Sequence, residues 1–258
     1  MRSEAREQAE MCSQLLFGEI FEIIEKADNW YFIQNRSDNY RGWIDGKPAT
    51  ILSEEEFKTL ENSVSGIINK PLVIAGLTRN CTKKPSPEHI ILSGGSILYN
   101  YNVEEECAVI FGKTYHIPQN LININSKNCV TGADLLSTAY FYLNTPYLWG
   151  GKNALGIDCS GFVQVVFQIH GINLPRDCSQ QVEMGNVVDF LQEAQAGDLA
   201  FFENNEGEIS HVGILIDNTH IIHASGRVKI ETIDTQGIIS ETDGNYTHRL
   251  RVIKRIIF

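Results

Sequence analysis

Residues 146–167 read PYLWGGKNALGIDCSGFVQVVF and place one cysteine, Cys159, where a glycine-rich loop gives way to an apolar run of helical character. A thiol at the start of a helix lies beside backbone N–H groups without helical partners and beside the positive end of the helix dipole. Both favour the thiolate, which is the nucleophilic form of cysteine. The stretch therefore predicts a nucleophilic Cys159, and a buried structural cysteine is the alternative.

Two histidines downstream of this stretch, His211 and His223, lie in runs that read as neighbouring strands. If residues 217–219 form a three-residue hairpin loop, His223 lies diagonal to His211 on the same face. Diagonal neighbours are about 7–8 Å apart at Cα, which is within reach of two imidazoles. A two-residue loop would put the rings on opposite faces. The functional interpretation makes His211 the base for Cys159 and His223 the residue that orients His211.

The order and spacing of these residues resemble the NlpC/P60 family, papain-like cysteine hydrolases that cut peptidoglycan stem peptides. The resemblance covers about the second half of the chain and is carried by Tyr147, Trp149, Gly150, Gly151, Asp158, Cys159, Ser160, Gly161, Phe162, Ala196, Gly197, Asp198, Leu199, His211, Val212, Gly213 and His223. It implies a papain-like α+β catalytic domain over residues 126–258. No metal ion or organic cofactor is implied.

The resemblance also implies roles for residues around the nucleophile. The hydroxyl of Tyr147 looks like an oxyanion donor, together with the backbone N–H of Cys159. The other implied substrate contacts are Ser160, Trp149, Arg176, Asp177 and Ser210. The family commonly has a small residue where Cys178 stands, so the role of this second thiol stays open.

Asp158 is not expected to activate Cys159, because a carboxylate beside a thiolate raises the pKa of the thiol. It makes better sense as the acceptor of a substrate ammonium. In some NlpC/P60 enzymes that recycle wall peptides, the equivalent aspartate binds the free amine of an N-terminal L-Ala. There the SH3-like domain walls off the pocket with a glutamate and with a tyrosine from a Tyr-x-Gly-Trp stretch. Glu10 and Tyr40 occupy comparable places, and a surface glutamate and a packing tyrosine are the alternative.

The first half of the chain reads as short strands. Turn residues recur every eight to ten positions between residues 14 and 45, which predicts a small barrel. This part resembles a bacterial SH3-like domain, assigned to residues 1–62. Ser53 is the expected N-cap of a helix that follows. Strand-like pieces between residues 70 and 120 predict a second SH3-like barrel over residues 63–125.

The second half reads as helices followed by strands, which predicts an α+β domain. A helix is expected over residues 131–143, and the Cys159 helix is expected to end at Gly171 as its C-cap. Strands are expected at 196–202, 211–216, 220–224 and 249–258. The remaining histidines lack a partner pattern and are treated as non-catalytic: His89, His116, His170, His220 and His248.

Composition limits the classes of partner. The formal net charge is −11 over 258 residues, which disfavours nucleic acid and favours a small, soluble peptide substrate. Six cysteines show no C-x-x-C pair, as expected of free thiols in a reducing compartment. The sequence shows no secretory signal and no membrane span. We therefore expect a cytoplasmic monomer, with an exported protein whose signal lies outside this sequence as the alternative.

These features predict a cysteine endopeptidase that cleaves the bond between D-Glu and a diamino acid in stem peptides with a free N-terminal L-Ala. Whether the diamino acid is diaminopimelate or lysine stays open. The alternatives are a hydrolase of intact peptidoglycan, a wall-peptide binding module without turnover, and an amidase or acyltransferase with an open apolar groove.

Overall fold

The computed structural model describes residues 1–63, 65–78, 88–110, 112–124 and 130–257. The chain divides into two compact units, Met1–Lys127 and Asn128–Phe258. The predicted division of the first unit into two SH3-like domains at residues 62 and 63 stays a prediction.

The amino-terminal unit consists of short antiparallel strands and one helix, as the sequence predicts. Its elements are β1 (Phe21–Ala27), β2 (Trp30–Asn35), β3 (Arg41–Asp45), α1 (Glu54–Glu61), β4 (Ser65–Ile68), β5 (Leu72–Leu77), β6 (His89–Ser93), β7 (Ile97–Tyr99), β8 (Cys107–Ile110), β9 (Lys113–His116) and β10 (Ile122–Ile124). The strands pair in three sheets, in the orders β1-β2-β3, β10-β4-β7 and β6-β5-β9-β8. A short 3-10 helix, Gln119–Leu121, precedes β10.

Local sequence explains the first turns of this unit. Asp28 adopts a positive φ of 52° between β1 and β2, a conformation that aspartate tolerates better than most residues. Ser53 caps α1 as expected, and a capping box joins it to Glu56. No residue of α1 is buried, so this helix depends on its cap more than on packing.

The carboxy-terminal unit places its helices before a large antiparallel sheet, which confirms the predicted α+β class. Its elements are α2 (Gly132–Tyr140), β11 (Lys152–Asn153), β12 (Gly156–Ile157), α3 (Cys159–Ile169), α4 (Cys178–Gln181), β13 (Asn186–Val188), β14 (Leu199–Glu203), β15 (Ile209–Leu215), β16 (His220–Ser225), β17 (Arg227–Ile233), β18 (Gly237–Ile239) and β19 (Tyr246–Arg255). A short 3-10 helix, Leu191–Glu193, precedes β14.

The sheet of this unit closes on itself. Its strand order is β13-β19-β14-β15-β16-β17-β18, and β18 also pairs with β19. Strands β14 to β19 therefore form a barrel, with β13 added along the outer edge of β19. Apolar side chains that share one face of these strands form a core cluster, which includes Ala200, Phe202, Leu215, Ile221, Ile233, Ile238 and Ile253.

Helix α3 is the central buried element. Every one of its residues is buried, so it contributes apolar area on all sides rather than along one stripe. The side chain of Asp158 caps its start, and Gly171 follows its end with a φ of +77°. The expected glycine at the end of the helix is thus confirmed, and the helix packs against β15 and β16.

The hairpin of β15 and β16 has the register that the sequence predicts. Ile216 N–H donates to the carbonyl of His220 at 2.9 Å, which leaves residues 217–219 as the loop. Gly213 pairs with His223 further along. Because side chains alternate along a strand, His211, Gly213 and His223 share one face of the sheet.

Among the described residues, none of the helices is long and apolar enough to span a membrane.

We predict that Thr131→Ala destabilises the carboxy-terminal unit. The Asp134 N–H donates to the Thr131 hydroxyl at 3.3 Å, and the Asp134 carboxylate accepts from the Thr131 N–H at 2.9 Å. Losing this cap of α2 should lower the free energy of unfolding by about 1 kcal/mol. Urea unfolding followed by circular dichroism measures it. Thr131→Ser keeps the hydroxyl and is the control, so equal destabilisation by both variants would contradict the capping role.

Candidate active site

Cys159 is the first residue of α3, and its side chain is hydrogen-bonded to His211. The residue is buried, at 7% exposure. The structure thus brings the predicted nucleophile and the predicted base into contact. The helix supplies the nucleophile, and β15 supplies the base.

The two predicted histidines are in direct contact. His211 Nε2 lies 2.9 Å from His223 Nδ1, and the rings are nearly perpendicular, at 86°. Both residues are buried. Burial lowers the pKa of His211 to about 4, so its imidazole is neutral at pH 7 and can accept a proton. The diagonal geometry predicted from the hairpin register is confirmed.

Glu231 on β17 extends this chain of contacts, and the sequence analysis missed it. Its Oε2 lies 2.9 Å from His223 Nε2 and 2.9 Å from Lys229 Nζ. Burial opposes ionisation of Glu231, but the hydrogen bonds and charges of His223 and Lys229 outweigh it and lower the pKa to about 2. The available signal was an acidic residue one strand beyond His223, in a run (227–233) that was not assigned as a strand.

His248 on β19 also belongs to the site, although the sequence analysis found no partner pattern for it. Its ring stacks on the ring of His211, with centroids 4.1 Å apart at 28°. Phe202 contacts both rings. Burial lowers the pKa of His248 to about 4, so two neutral rings stack at pH 7 without charge repulsion.

Cys178, whose role the sequence left open, is hydrogen-bonded to the Cys159 thiol. This bond and burial raise the pKa of Cys159, and the interaction with His211 opposes them. The net effect is upward, whereas a helix start alone would favour the thiolate. The resting pair at neutral pH is therefore a thiol beside a neutral imidazole.

Asp158 lies at the centre of a buried polar cluster. Its Oδ1 accepts from Gly161 N–H at 2.7 Å and from Arg176 at 3.1 Å, and its Oδ2 accepts from Gly150 N–H at 2.8 Å and from Arg176 at 2.5 Å. The carboxylate thus holds both the glycine-rich loop and the start of α3. Its predicted role as acceptor of a substrate ammonium stays a prediction.

Arg176 lies in the same buried cluster, with its side chain fully buried at 1% exposure. Its guanidinium donates to both oxygens of Asp158 and, at 2.8 Å, to the hydroxyl of Ser160. The ion pair supplies the counter-charge that a buried guanidinium needs. The predicted contact of Arg176 with substrate stays a prediction.

Tyr147 lies close enough to Cys159 for the two to interact electrostatically. Burial, followed by the nearby Cys159 and Asp158, raises the pKa of Tyr147 to about 12. The hydroxyl therefore keeps its proton at neutral pH and can donate it in a hydrogen bond, as an oxyanion donor must.

The other predicted contact residues are placed as follows. Trp149 is 61% exposed on the loop before β11, Ser210 is an exposed neighbour of His211, and Asp177 precedes α4. Glu10 is exposed and Tyr40 is half-buried in the amino-terminal unit. Their part in substrate binding stays a prediction.

The cysteines of the described ranges form no disulfide: Cys12, Cys107, Cys159 and Cys178 are free. Cys81 and Cys129 lie outside the described residues. Within the same ranges, His, Cys, Asp and Glu side chains do not gather into a group that could hold a metal ion.

We predict that Cys178→Ala makes Cys159 more reactive. The substitution removes the hydrogen bond that raises the pKa of Cys159, so more thiolate is present at neutral pH. Alkylation of Cys159 by iodoacetamide, followed by peptide mass spectrometry, should become faster, and its rate profile should move to lower pH. Cys12→Ala, in the other unit, is the control. Unchanged or slower alkylation would contradict this account of the thiol pair.

We predict that Gly213→Ala displaces His223. A Cβ at this position would lie 2.8 Å from His223 Cβ and 2.7 Å from Ile221 Cδ1. Such overpacking costs about 1–3 kcal/mol, and His211 would lose its orienting partner. Thermal unfolding and peptidase assays measure the two effects. The control is Gly76→Ala on β5, where a Cβ meets nothing within 4 Å. A fully active Gly213→Ala protein would show that the close approach is not required.

Comparison with known proteins agrees with this geometry. Residues 144–247 match the NlpC/P60 family, and residues 1–47 match the bacterial dipeptidyl-peptidase Sh3 domain. A gamma-D-glutamyl-L-lysine dipeptidyl-peptidase of Bacillus cereus is 29% identical over 90% of this chain and 73% of its own length. The protein of the same name from Bacillus subtilis is 28% identical over 94% of this chain and 80% of its own.

Solved structures show the same architecture. A crystal structure of an NlpC/P60 family protein from Bacillus cereus superposes with a TM-score of 0.79 at 25% identity, covering 95% of this chain and 82% of the other. An NlpC/P60 endopeptidase from Photobacterium damselae shares the fold, with a TM-score of 0.67 at 17% identity over 93% of this chain and 62% of the other. This chain therefore contains an NlpC/P60 domain at residues 144–247 and a bacterial dipeptidyl-peptidase Sh3 domain at residues 1–47, and the family and its peptidase-named relatives support a peptidase.

Proposed function

We propose that this protein is a cysteine endopeptidase that hydrolyses the γ-D-Glu–diamino acid bond of stem peptides with a free N-terminal L-Ala. The observation that carries the proposal is the contact of Cys159 with His211, which is itself hydrogen-bonded to His223. A non-catalytic binding module has no need of a nucleophile, a base and an orienting residue in one connected chain.

The first half-reaction follows from the states of these groups. The sulfur of Cys159 attacks the γ-carbonyl carbon of D-Glu while the neutral imidazole of His211 takes the thiol proton. The Cys159 N–H and the protonated hydroxyl of Tyr147 stabilise the oxyanion of the tetrahedral intermediate. His211 then gives its proton to the leaving amine of the diamino acid, and a thioester remains on Cys159.

The second half-reaction uses the same groups in reverse order. His211 takes a proton from water, the hydroxide attacks the thioester, and the proton returns to the sulfur as the dipeptide acid leaves. Throughout the cycle His223 keeps the ring of His211 in place, and the imidazolium that forms in each half-reaction remains hydrogen-bonded to it.

The substrate class is supported by the relatives. Two proteins that align with most of this chain are named gamma-D-glutamyl-L-lysine dipeptidyl-peptidase. A dipeptidyl-peptidase releases the first two residues of a peptide, so a free amine two residues from the cleaved bond is the natural recognition feature. We also propose a role in murein peptide recycling in the cytoplasm, where released peptides carry free amines. We propose that the protein acts on these small peptides as a monomer.

We predict that acetylation of the substrate amine abolishes turnover. Acetylation removes the charge of L-Ala and adds bulk at the end of the peptide that the enzyme must bind. Hydrolysis of free and N-acetylated L-Ala-γ-D-Glu-diaminopimelate and the lysine equivalent, followed by mass spectrometry, should show kcat/KM fall by at least about 10²-fold on acetylation, the size expected when a buried charge loses its partner. Cys159→Ala is the control and should bind the free peptide without cleaving it.

The same two peptides, with whole sacculi and an added amine as further substrates, separate the alternatives. Equal rates on both peptides, or efficient release from whole sacculi, would identify a hydrolase of intact peptidoglycan. Binding by the wild-type protein without products would identify a binding module. Transfer of the acyl group to an added amine in preference to water would identify an acyltransferase.

A further inference from the structure

Glu231 is connected to His211 through one intervening side chain, that of His223. It is 2% exposed, and its Oε2 lies 2.9 Å from His223 Nε2. Its other oxygen, Oε1, accepts from the backbone N–H of Glu241 at 3.3 Å. The carboxylate is therefore held from both sides and cannot rotate away without breaking a contact.

The strand register explains how a residue on β17 reaches this position. Ile221 pairs with Glu231 and His223 pairs with Lys229 across β16 and β17. Glu231 thus lies diagonal to His223 on the same face, just as His223 lies diagonal to His211 across β15 and β16. The same diagonal arrangement thus occurs in two successive hairpins, and it connects Glu231 to His211 through His223.

The direction of each hydrogen bond follows from the charge at one end. An ionised carboxylate only accepts hydrogen bonds, so His223 must carry its proton on Nε2, the nitrogen that faces Glu231. Its Nδ1 is then an acceptor, and the Nε2 of His211, 2.9 Å away, must be the donor. This leaves His211 Nδ1 unprotonated, and it is the ring nitrogen that remains for the contact with Cys159.

We propose that Glu231 is a positioning residue that, through His223, fixes the proton of His211 on Nε2 and leaves Nδ1 free to take the proton of Cys159. The inference rests on the proposed roles of Cys159 and His211 in peptide hydrolysis. Without the carboxylate, the hydrogen bond between the two imidazoles can run in either direction. Reversal puts a proton on His211 Nδ1, where it would face the thiol and leave no base for it.

The primary test reads the protons directly and needs no substrate. Two-bond 1H–15N correlation spectra of protein labelled with [15N]-histidine distinguish imidazoles protonated at Nε2 from those protonated at Nδ1. At neutral pH the wild-type protein should show both His211 and His223 protonated at Nε2. In Glu231→Leu, both residues should populate the Nδ1-protonated form. Nδ1 protonation of His211 in the wild-type protein would overturn the proposal.

Kinetics on the free tripeptide give the second readout. Glu231→Leu should lower kcat by roughly 10–100-fold, the effect known for removing the outer carboxylate partner of a metal-binding histidine, with KM little changed. Glu231→Gln keeps an acceptor oxygen of the same size but not the charge, so its kcat should lie between those of the wild type and the leucine variant. A merely structural role would lower the amount of folded protein without this ordering.

Glu203→Gln is the matched control. Glu203 lies on β14 of the same barrel, is nearly as buried, and pairs with Arg249 and Arg251 rather than with the histidines. It should leave the tautomers and kcat unchanged. Wild-type kcat and tautomers in Glu231→Leu would overturn the proposal. A wild-type protein with the expected tautomers but no hydrolysis would contradict the proposed function and leave the role of Glu231 standing.

Discussion

The alternation of side chains along three consecutive strands is the constraint on which the site depends. A three-residue loop puts His211 and His223 on one face, and the turn at Gly226 adds Glu231 to the same face. Insertion of one residue in either turn would move a member of this series to the opposite face. The same face also carries Leu215, Ile221 and Ile233 of the barrel core, so the two histidines and Glu231 are part of the packing that stabilises the barrel.

A second constraint holds the nucleophile. The start of α3 is fixed by a buried ion pair of Asp158 and Arg176 that also binds the preceding loop through Gly150. Removing one partner of such a pair typically costs about 3–5 kcal/mol, because an uncompensated charge is left buried. The Asp158 side chain also needs a neighbour as small as Gly161, where a Cβ would lie 2.9 Å from its Oδ1 and 2.2 Å from the Gly151 carbonyl. The DCSG motif is thus a packing requirement as well as a chemical one.

What the sequence could predict was local. The start and end of α3, the cap of α1, and the register of the β15–β16 hairpin each depend on a few adjacent residues, and the structure confirms all of them. The contact of the two histidines followed from that register alone. Strand β17 was missed although residues 227–231 (RVKIE) alternate charged and apolar side chains, and Glu231 was missed with it.

The remaining differences arise from distant parts of the chain. His248 reaches His211 because β19 pairs with β14, the other neighbour of β15, and no local pattern encodes that strand order. The ion pair of Arg176 with Asp158 joins residues 18 positions apart, so no local pattern indicated it. The upward shift of the Cys159 pKa likewise depends on burial and on Cys178, which only the folded chain brings together.

The position of β19 has a consequence for protein synthesis. This strand lies between β13 and β14, closes the barrel against β18, and carries the ring that stacks on His211. A ribosome releases the segment with Cys159 well before it releases residues 246–255, and domains fold as units during translation. Because β19 closes the barrel and carries His248, we expect a chain without residues 246–255 to have an open barrel and to lack the ring that stacks on His211.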